Sequence, residues 1–178
     1  LGHEVVVADP NFAPMYATRS RRVKTDRRDA QALMDACRLG AYRPAHRTSE
    51  EQQQVRAELA VREAMVRARV RFVVLMRSLL RRQGLRVGSG STRAFPRRLA
   101  AAGLPERQTA EIAPLLAALQ ELNTQIDAAE ARLTEHAERD PVVRRLETVP
   151  GVGPITALSF VSTLDRVERF HGPHEVEA

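Results

Sequence analysis

Apolar residues recur at helical spacing over most of this chain, and two segments carry the pattern without interruption. The first runs from about Glu50 to Gln83, with apolar residues at steps of seven: Leu59, Val66, Val73 and Leu80. The second runs from about Ala113 to Arg139, with steps of three and four: Ile112, Leu115, Leu119, Leu122, Ile126, Ala129 and Leu133. Both spacings are typical of coiled-coil seams, so we predict a mainly α fold with two long, paired helices.

Local signals predict where these helices begin and end. Thr48 and Glu51 have the spacing of a capping box, which places the start of the first long helix there. The glycine-rich segment GLRVGSGSTRAFP predicts a flexible turn after it. Pro114 suits the first turn of the second long helix, because a proline there loses no helical hydrogen bond.

The N-terminal segment has a different pattern. Val5 to Ala8 form a short apolar run closed by Asp9 and Pro10, which predicts a buried strand of an α/β sheet. A loop follows, and then a helix from about Asp26 to Gly40 with apolar residues at helical spacing: Ala30, Leu33, Met34 and Cys37. We therefore predict the last strand, loop and helix of an α/β domain, with Cys37 on the buried side of the helix.

Charge narrows the class of partner. The formal net charge is +6 and the isoelectric point about 10.8, which favours a nucleic acid, although 27 arginines against the single Lys24 also reflect coding composition. Residues 62–98 hold eleven arginines and one acid, whereas residues 105–147 hold nine acids and five arginines. The two long helices thus carry opposite charge. They could pair as an antiparallel hairpin, or each could pair with a second subunit.

Other classes of protein find little support in the sequence. One cysteine allows no disulfide within the chain, which fits a cytoplasmic location, and no apolar window is long enough to span a membrane. His171 and His174 have metal-ligand spacing, but no cysteine or distant histidine completes such a site, so we interpret them as loop residues. Because the first residues resemble the middle of a domain, we expect a piece of a longer protein.

The segment PGVGPITA matches the helix-hairpin-helix pattern. Gly151 and Gly153 permit positive φ and a tight turn without a Cβ clash, and Ala157 is small enough for close helix packing. Backbone N–H groups at the start of the next helix would then bind a phosphate oxygen without reading base sequence. A plain turn between two helices is the alternative.

Asp26 and Asp29 lie three residues apart, on one face of the predicted helix. Two carboxylates so placed could share a Mg²⁺ ion of the kind that assists phosphodiester chemistry, and the neighbouring arginines would suit a DNA strand. Alternatively, Asp26 caps the helix and the helix dipole favours Asp29 in its first turn. Two carboxylates also fall short of a complete metal site.

The motifs together resemble one family. The segments GHEVVVADP, RRVKTDRRDAQALMDACRLG, RTSEE and LETVPGVGPITALSFVSTLDRVERF occur in the order found in DEDD-type insertion-sequence transposases, the "one-ten" family of RNA-guided recombinases. The resemblance implies a RuvC-like α/β domain ending within residues 1–44 and a coiled-coil region at 48–139. It also implies the start of a C-terminal transposase domain at 140–178, with the helix-hairpin-helix.

The resemblance also implies roles for particular residues. Asp26 and Asp29 match the last two acids of a catalytic, Mg²⁺-binding tetrad whose other members are expected before Leu1. Lys24, Arg27 and Arg28 would hold the nucleic-acid backbone. The nucleophilic serine is expected beyond Ala178, so Ser159, Ser162 and Asp9 are given no catalytic role. The implied partners are DNA, a guide RNA and further copies of the chain.

Two other classes of function remain open at this stage. The chain could be a non-catalytic, nucleic-acid-binding helical protein with a helix-hairpin-helix tip, or a structural scaffold without affinity for DNA. Because half of the tetrad and the serine are missing from these residues, we expect the chain alone neither to cleave nor to join DNA.

Overall fold

The computed structural model describes residues 2, 5–12, 15 and 25–176, and the fold is mainly α. The chain divides into two compact units, Leu1–Thr48 and Ser49–Ala178. The first contains α1 (Asp26–Leu39). The second contains α2 (Glu50–Arg82), α3 (Phe95–Ala101), α4 (Glu106–Arg139), α5 (Pro141–Leu146), α6 (Pro154–Leu164) and two short 3₁₀ turns, Val167–Arg169 and Pro173–Glu175.

The second unit is built on an antiparallel hairpin of α2 and α4, which confirms one of the two predicted pairings. Side-chain contacts set the register, since residue numbers rise along α2 as they fall along α4. Arg62 Nε donates to Glu130 Oε1 at 2.9 Å, and Arg69 Nη1 donates to Asn123 Oδ1 at 3.4 Å. Nearer the connection, Gln83 Nε2 donates to Glu111 Oε2 at 3.0 Å. At about 1.5 Å per residue, each helix is about 50 Å long.

Two apolar clusters hold this hairpin. The tip core lies near the connection between α2 and α4 and consists of Val73, Met76, Leu80, Phe95, Leu99, Ile112 and Leu119. The base core lies at the opposite end and consists of Val55, Leu133, Ala137, Val143, Ala157 and Leu158. Every residue of the predicted α4 stripe is buried or partly buried, so the predicted periodicity identified the packed face correctly.

The base core fixes α5 and α6 against the ends of the hairpin. Asp140 begins α5 by accepting hydrogen bonds from the N–H groups of Val142 and Val143, at 2.7 and 3.2 Å. The end of α6 is tied to the start of α2, because the carboxylate of Asp165 accepts from Ser49 N–H at 3.1 Å and from Ser49 Oγ at 2.7 Å. Asp165 has φ of +58°, so its backbone turns sharply at this contact.

Two local predictions in this unit were wrong, and one helix was not predicted. The cap of α2 is Ser49, whose Oγ accepts from Gln52 N–H at 3.3 Å, and not Thr48. The glycine-rich segment ends α2 as predicted, but α3 follows it because Phe95 and Leu99 are buried in the tip core. Helix α4 begins at Glu106 and passes through Pro114, since burial of Ile112 and Leu119 around the proline offsets the lost hydrogen bond.

The first unit departs further from expectation. No strand forms among its described residues, and Val5 to Val7 are exposed; an isolated antiparallel bridge pairs Ala8 with Pro44. A buried strand needs neighbouring strands and covering layers, which the described part of this unit does not supply. For the same reason Leu33, Met34 and Cys37 are exposed, and the buried face of α1 consists of Ala32 and Ala36. Cys37 is therefore not on a buried side.

The short segment before α1 is fixed to residues after it. Asp9 N–H donates to the Arg43 carbonyl at 2.8 Å, and Ala45 N–H donates to the Val7 carbonyl at 2.8 Å. The Arg43 guanidinium also donates to the Asp9 carboxylate, with Nε at 3.1 Å. This hydrogen bond, with a further one from Asn11 N–H, lowers the pKa of Asp9 below its ordinary value.

The packing predicts that the α2–α4 seam dominates the stability of the second unit. Leu119→Ala removes a fully buried side chain and should lower the free energy of unfolding by about 2–5 kcal/mol. Val74→Ala, at a side chain 60% exposed on α2, should change it by less than about 0.5 kcal/mol. Urea unfolding followed by circular dichroism measures both, and equal losses would contradict the assigned seam.

The Asp9–Arg43 contact predicts a pH dependence in the first unit. Arg43→Met should raise the pKa of Asp9 toward 3.8, as measured by NMR titration of its carboxyl carbon. Folding lowers the pKa of Asp9, so the Asp9–Arg43 contact stabilises the folded unit at pH values above the ordinary pKa of the carboxyl. This stabilisation is lost as the pH falls through the lowered pKa. Arg47→Met removes the same charge from an exposed side chain and serves as the control; an equal shift there would point to net charge rather than to the contact.

Candidate functional site

The predicted metal ligands lie in the first turn of α1. Thr25 is the N-cap: its backbone is extended, and its Oγ accepts from Arg28 N–H at 3.4 Å. Asp26 is therefore the first residue of the helix and Asp29 the fourth. Since Thr25 occupies the capping position, the alternative that Asp26 caps the helix is wrong.

The helix brings the two carboxylates together on one face, because residues three apart are neighbours on a helix surface. Asp26 is exposed and Asp29 is partly buried. Both also lie where the helix dipole favours negative charge. Within the part of the chain that the structure describes, no group of three or more His, Cys, Asp or Glu side chains could hold a metal ion. The arrangement is thus at most part of a donor set.

Three basic residues were predicted to lie beside these carboxylates, and the structure describes two of them. Arg27 and Arg28 are exposed in the first turn of α1, next to Asp26 and Asp29. Lys24 lies outside the described residues. The positions that are described give the start of α1 a mixed charge, with two cations and two carboxylates in a single turn.

The predicted glycine turn connects α5 to α6. Val149 to Val152 form a four-residue turn closed by a hydrogen bond from Val152 N–H to the Val149 carbonyl at 3.0 Å. Pro150 supplies the fixed φ of its second position, and Gly151, with φ of +88°, supplies the positive φ that the third position requires. Gly153 does not use its freedom to adopt positive φ: its φ is −101°, and it is the N-cap of α6.

The start of α6 presents backbone donors. No side chain caps this helix, and its first residue, Pro154, has no N–H to satisfy. The first helical bond is that from Ala157 N–H to the Gly153 carbonyl at 3.0 Å, which leaves the N–H groups of Ile155 and Thr156 outside the intrahelical pattern. Ala157 is buried in the base core, as its small size predicted.

Sequence analysis missed two cations beside this turn. Arg144 and Arg145 are exposed in the last turn of α5, immediately before the segment that leads to Gly151. Paired arginines at the end of a short helix also interact favourably with its dipole. The signal was visible in the sequence as the RR pair preceding LETVPGVG.

The residues set aside in the sequence have structural partners. Ser162 is buried, and its Oγ donates to the Ser159 carbonyl at 3.2 Å, as expected of helix residues. His171 N–H donates to Glu175 Oε2 at 2.8 Å, and this bond lowers the pKa of the Glu175 carboxyl. The Ser162 hydroxyl and the Glu175 carboxylate thus each have a hydrogen-bond partner within the chain.

The described helices include none that is both long and apolar enough to cross a lipid bilayer. No solved structure matches the chain.

Comparisons with known proteins identify relatives. A transposase family model matches residues 1–83, and a model described as "Transposase IS116/IS110/IS902 family" matches residues 143–178, so the two cover more than half of the chain. The chain is 31% identical over 160 residues to the transposase for insertion sequence element IS1111A of Coxiella burnetii, covering 87% of this chain and 44% of that protein. It is 31% identical over 168 residues to the transposase for insertion sequence element IS1328 of Yersinia enterocolitica, covering 92% and 49%.

The chain spans about half the length of the curated relatives it matches. Both family models fall on segments that carry the motifs above: the first contains Asp26 and Asp29, and the second contains Gly151 and Gly153. On these matches, the chain belongs to the IS110-type family of insertion-sequence transposases.

Proposed function

We propose that this chain binds DNA as part of an insertion-sequence transposase, and that the intact protein cleaves and joins DNA strands with Mg²⁺. The observation that carries the proposal is the paired placement of Asp26 and Asp29 in one helical turn, within the motif KTDRRDA. The Thr25 cap supports it, because it relieves Asp26 of a capping role. Family membership supplies the class of reaction.

The two carboxylates fit part of a magnesium site. Mg²⁺ usually binds to one or two protein carboxylates and completes its shell with water and phosphate oxygens, so Asp26 and Asp29 would suffice only beside a bound substrate or further acids. When bound, the ion would activate the attacking oxygen and stabilise the leaving one. The chain's own contribution is to hold both carboxylates on one rigid turn.

The basic side chains of that turn would position the nucleic acid. Arg27 and Arg28 flank the carboxylates, and Lys24 precedes them in the motif. Contacts of this kind would hold the phosphate backbone and carry no base-sequence information. They would bring the strand within reach of Asp26 and Asp29 while offsetting the repulsion between phosphate and carboxylate.

A second contact would form at the turn between α5 and α6, acting as a helix-hairpin-helix. The N–H groups of Ile155 and Thr156 and the positive end of the α6 dipole are suited to a phosphate oxygen. Gly151 shapes the turn, and Gly153 leaves the approach to the helix free of a side chain.

Further elements of the proposal concern architecture and partners. Residues 1–44 would complete a RuvC-like domain, and the hairpin would serve as the coiled-coil region. A guide RNA and a cytoplasmic location follow from the family resemblance. Because the predicted seams are used within one chain, a homo-oligomer would form through other faces of the hairpin, such as the exposed Val61, Val70 and Val74 of α2.

The metal role of the two carboxylates is tested in the full-length transposase to which this chain corresponds. Asp26→Asn and Asp29→Asn should each abolish Mg²⁺-dependent strand transfer while leaving DNA affinity within about twofold, because only the metal ligand is lost. Strand transfer is measured on labelled insertion-sequence ends, and affinity by fluorescence anisotropy. The present chain alone should show no strand transfer.

Asp35→Asn is the matched control, since Asp35 lies on the same helix and accepts a hydrogen bond from Gln31 at 3.1 Å. It should retain strand transfer. Full activity of either Asp26→Asn or Asp29→Asn would refute the metal role, whereas strand transfer by the present chain alone would refute only the expectation that this chain is inactive by itself.

The two glycines of the turn make separable predictions. Gly151→Ala forces a side chain into positive φ and should lower the free energy of unfolding by about 1–2 kcal/mol and weaken DNA binding. Gly153→Ala meets no atom within 4 Å and has an ordinary φ, so it should cost less. Thermal unfolding and anisotropy measure both variants, and equal stability would contradict the assigned turn geometry.

A further inference from the structure

A groove lined by three arginines lies at the tip of the helical hairpin. We call it the tip groove; its volume is about 340 Å³, and its lining residues are Arg77, Arg81, Leu85, Arg86 and Val87. Arg77 and Arg81 are one turn apart on α2, so they share a helix face. The chain then leaves α2 and returns past the same face, which adds Arg86 as the third cation.

The first of these arginines is held in place. Arg77 Nη2 donates to the Gly88 carbonyl at 2.8 Å, and its guanidinium lies 5.5 Å from the ring centroid of Phe95. Phe95 is itself fully buried in the tip core. A hydrogen bond combined with a cation–π contact fixes the position of this charge, so little entropy would be lost when it binds an anion.

The floor of the tip groove is equally fixed. Leu85 and Val87 are partly buried and pack against the tip core. Leu85 N–H also donates to the Leu80 carbonyl at 3.0 Å, which ties the chain to the end of α2. The positions of the three cations therefore depend on the same core that holds the hairpin together.

The arginines of the tip groove differ from three others of the second unit, which are paired with acids. Arg62, Arg67 and Arg93 each contact a carboxylate, that of Glu130, Glu63 and Asp127 respectively. No acidic side chain lines the tip groove, and the side chains of Arg81 and Arg86 make no hydrogen bond or ion pair within the described residues. Like charges at this spacing repel, and an anion between them would remove the repulsion.

We propose that the tip groove binds the phosphodiester backbone of a nucleic acid, with Arg81 and Arg86 contacting phosphate oxygens and Arg77 fixing the groove. Guanidinium groups offer paired N–H donors that match phosphate oxygens. The identification of the ligand as a nucleic acid rests on the proposed function. The identification of the tip groove as a phosphate-binding site rests on its geometry. It is separate from Asp26 and Asp29 and from the α5–α6 turn.

The experiment compares two charge-matched double variants of the present chain. Arg81→Gln/Arg86→Gln removes the two exposed cations of the tip groove. Arg71→Gln/Arg132→Gln removes two exposed arginines elsewhere on α2 and α4. Affinity is measured by anisotropy with two probes, a mixed-sequence duplex DNA and an RNA hairpin, between about 50 and 200 mM salt.

The groove variant should bind at least one probe about ten- to a hundredfold more weakly than the wild type, whereas the control should stay within about threefold. On duplex DNA, loss of two phosphate contacts should reduce the salt slope by about 2. The probe that loses more affinity identifies whether DNA or RNA occupies the tip groove. Arg81→Lys/Arg86→Lys, which keeps the charge without the paired donors, should recover part of the affinity.

Other outcomes would overturn the inference. Equal weakening by both double variants would mean that only total charge matters, which would leave DNA binding by the proposed function intact. If the groove variant binds both probes as tightly as the wild type but unfolds at a lower temperature, the role of Arg81 is only to stabilise the C-terminal end of α2 through the helix dipole. A wild-type chain that binds neither probe would overturn the inference and remove the nucleic-acid affinity claimed for this chain, whereas strand transfer through Asp26 and Asp29 is tested separately in the full-length protein.

Discussion

The apolar seam between α2 and α4 is the constraint on which the second unit depends. Neither long helix has a buried face without the other, since Val73, Met76 and Leu80 of α2 pack with Ile112 and Leu119 of α4 in the tip core. Burial of this kind is the main favourable term in folding. The three shorter helices dock onto the two ends of the seam: α3 at the tip, and α5 with α6 at the base.

The polar pairs along the seam fix its register and, with it, the distribution of charge. Arg62 with Glu130 and Arg69 with Asn123 lie between the two apolar cores, where a shift of one helical turn would separate every pair. Exposed ion pairs contribute little stability, but partly buried ones distinguish one register from another. Asp127 and Glu130 of α4 pair with Arg93 and Arg62, whereas no acidic side chain lines the tip groove, so its arginines are available for another anion.

Much of this architecture could be predicted from sequence because it depends on periodicity. The steps of three, four and seven identified the packed faces, and the opposite charge of the segments allowed pairing within the chain or with a second subunit. Other features depend on tertiary contacts that periodicity does not encode. Helix α3 forms because Phe95 fills the tip core, and α4 continues through Pro114 because burial on both sides compensates for the proline. The strand at Val5 failed because a strand depends on its neighbours.

In the candidate site too, the sequence predicted the features that depend on local structure and not those that depend on tertiary contacts. Asp26, Asp29 and Gly151 stand where their spacing placed them, because a helical turn and a four-residue turn are local structures. Helical spacing alone places Arg77 and Arg81 on one face, but Arg86 joins them only when the chain folds back past α2, which no local pattern revealed. From Leu59, beside the start of α6, to Arg81 the helix rises about 33 Å, close to ten base pairs of duplex DNA at about 3.4 Å each. Under the proposed function, the seam that stabilises the hairpin also sets the distance between the two phosphate contacts, and substitutions in its core would alter nucleic-acid binding without touching either contact.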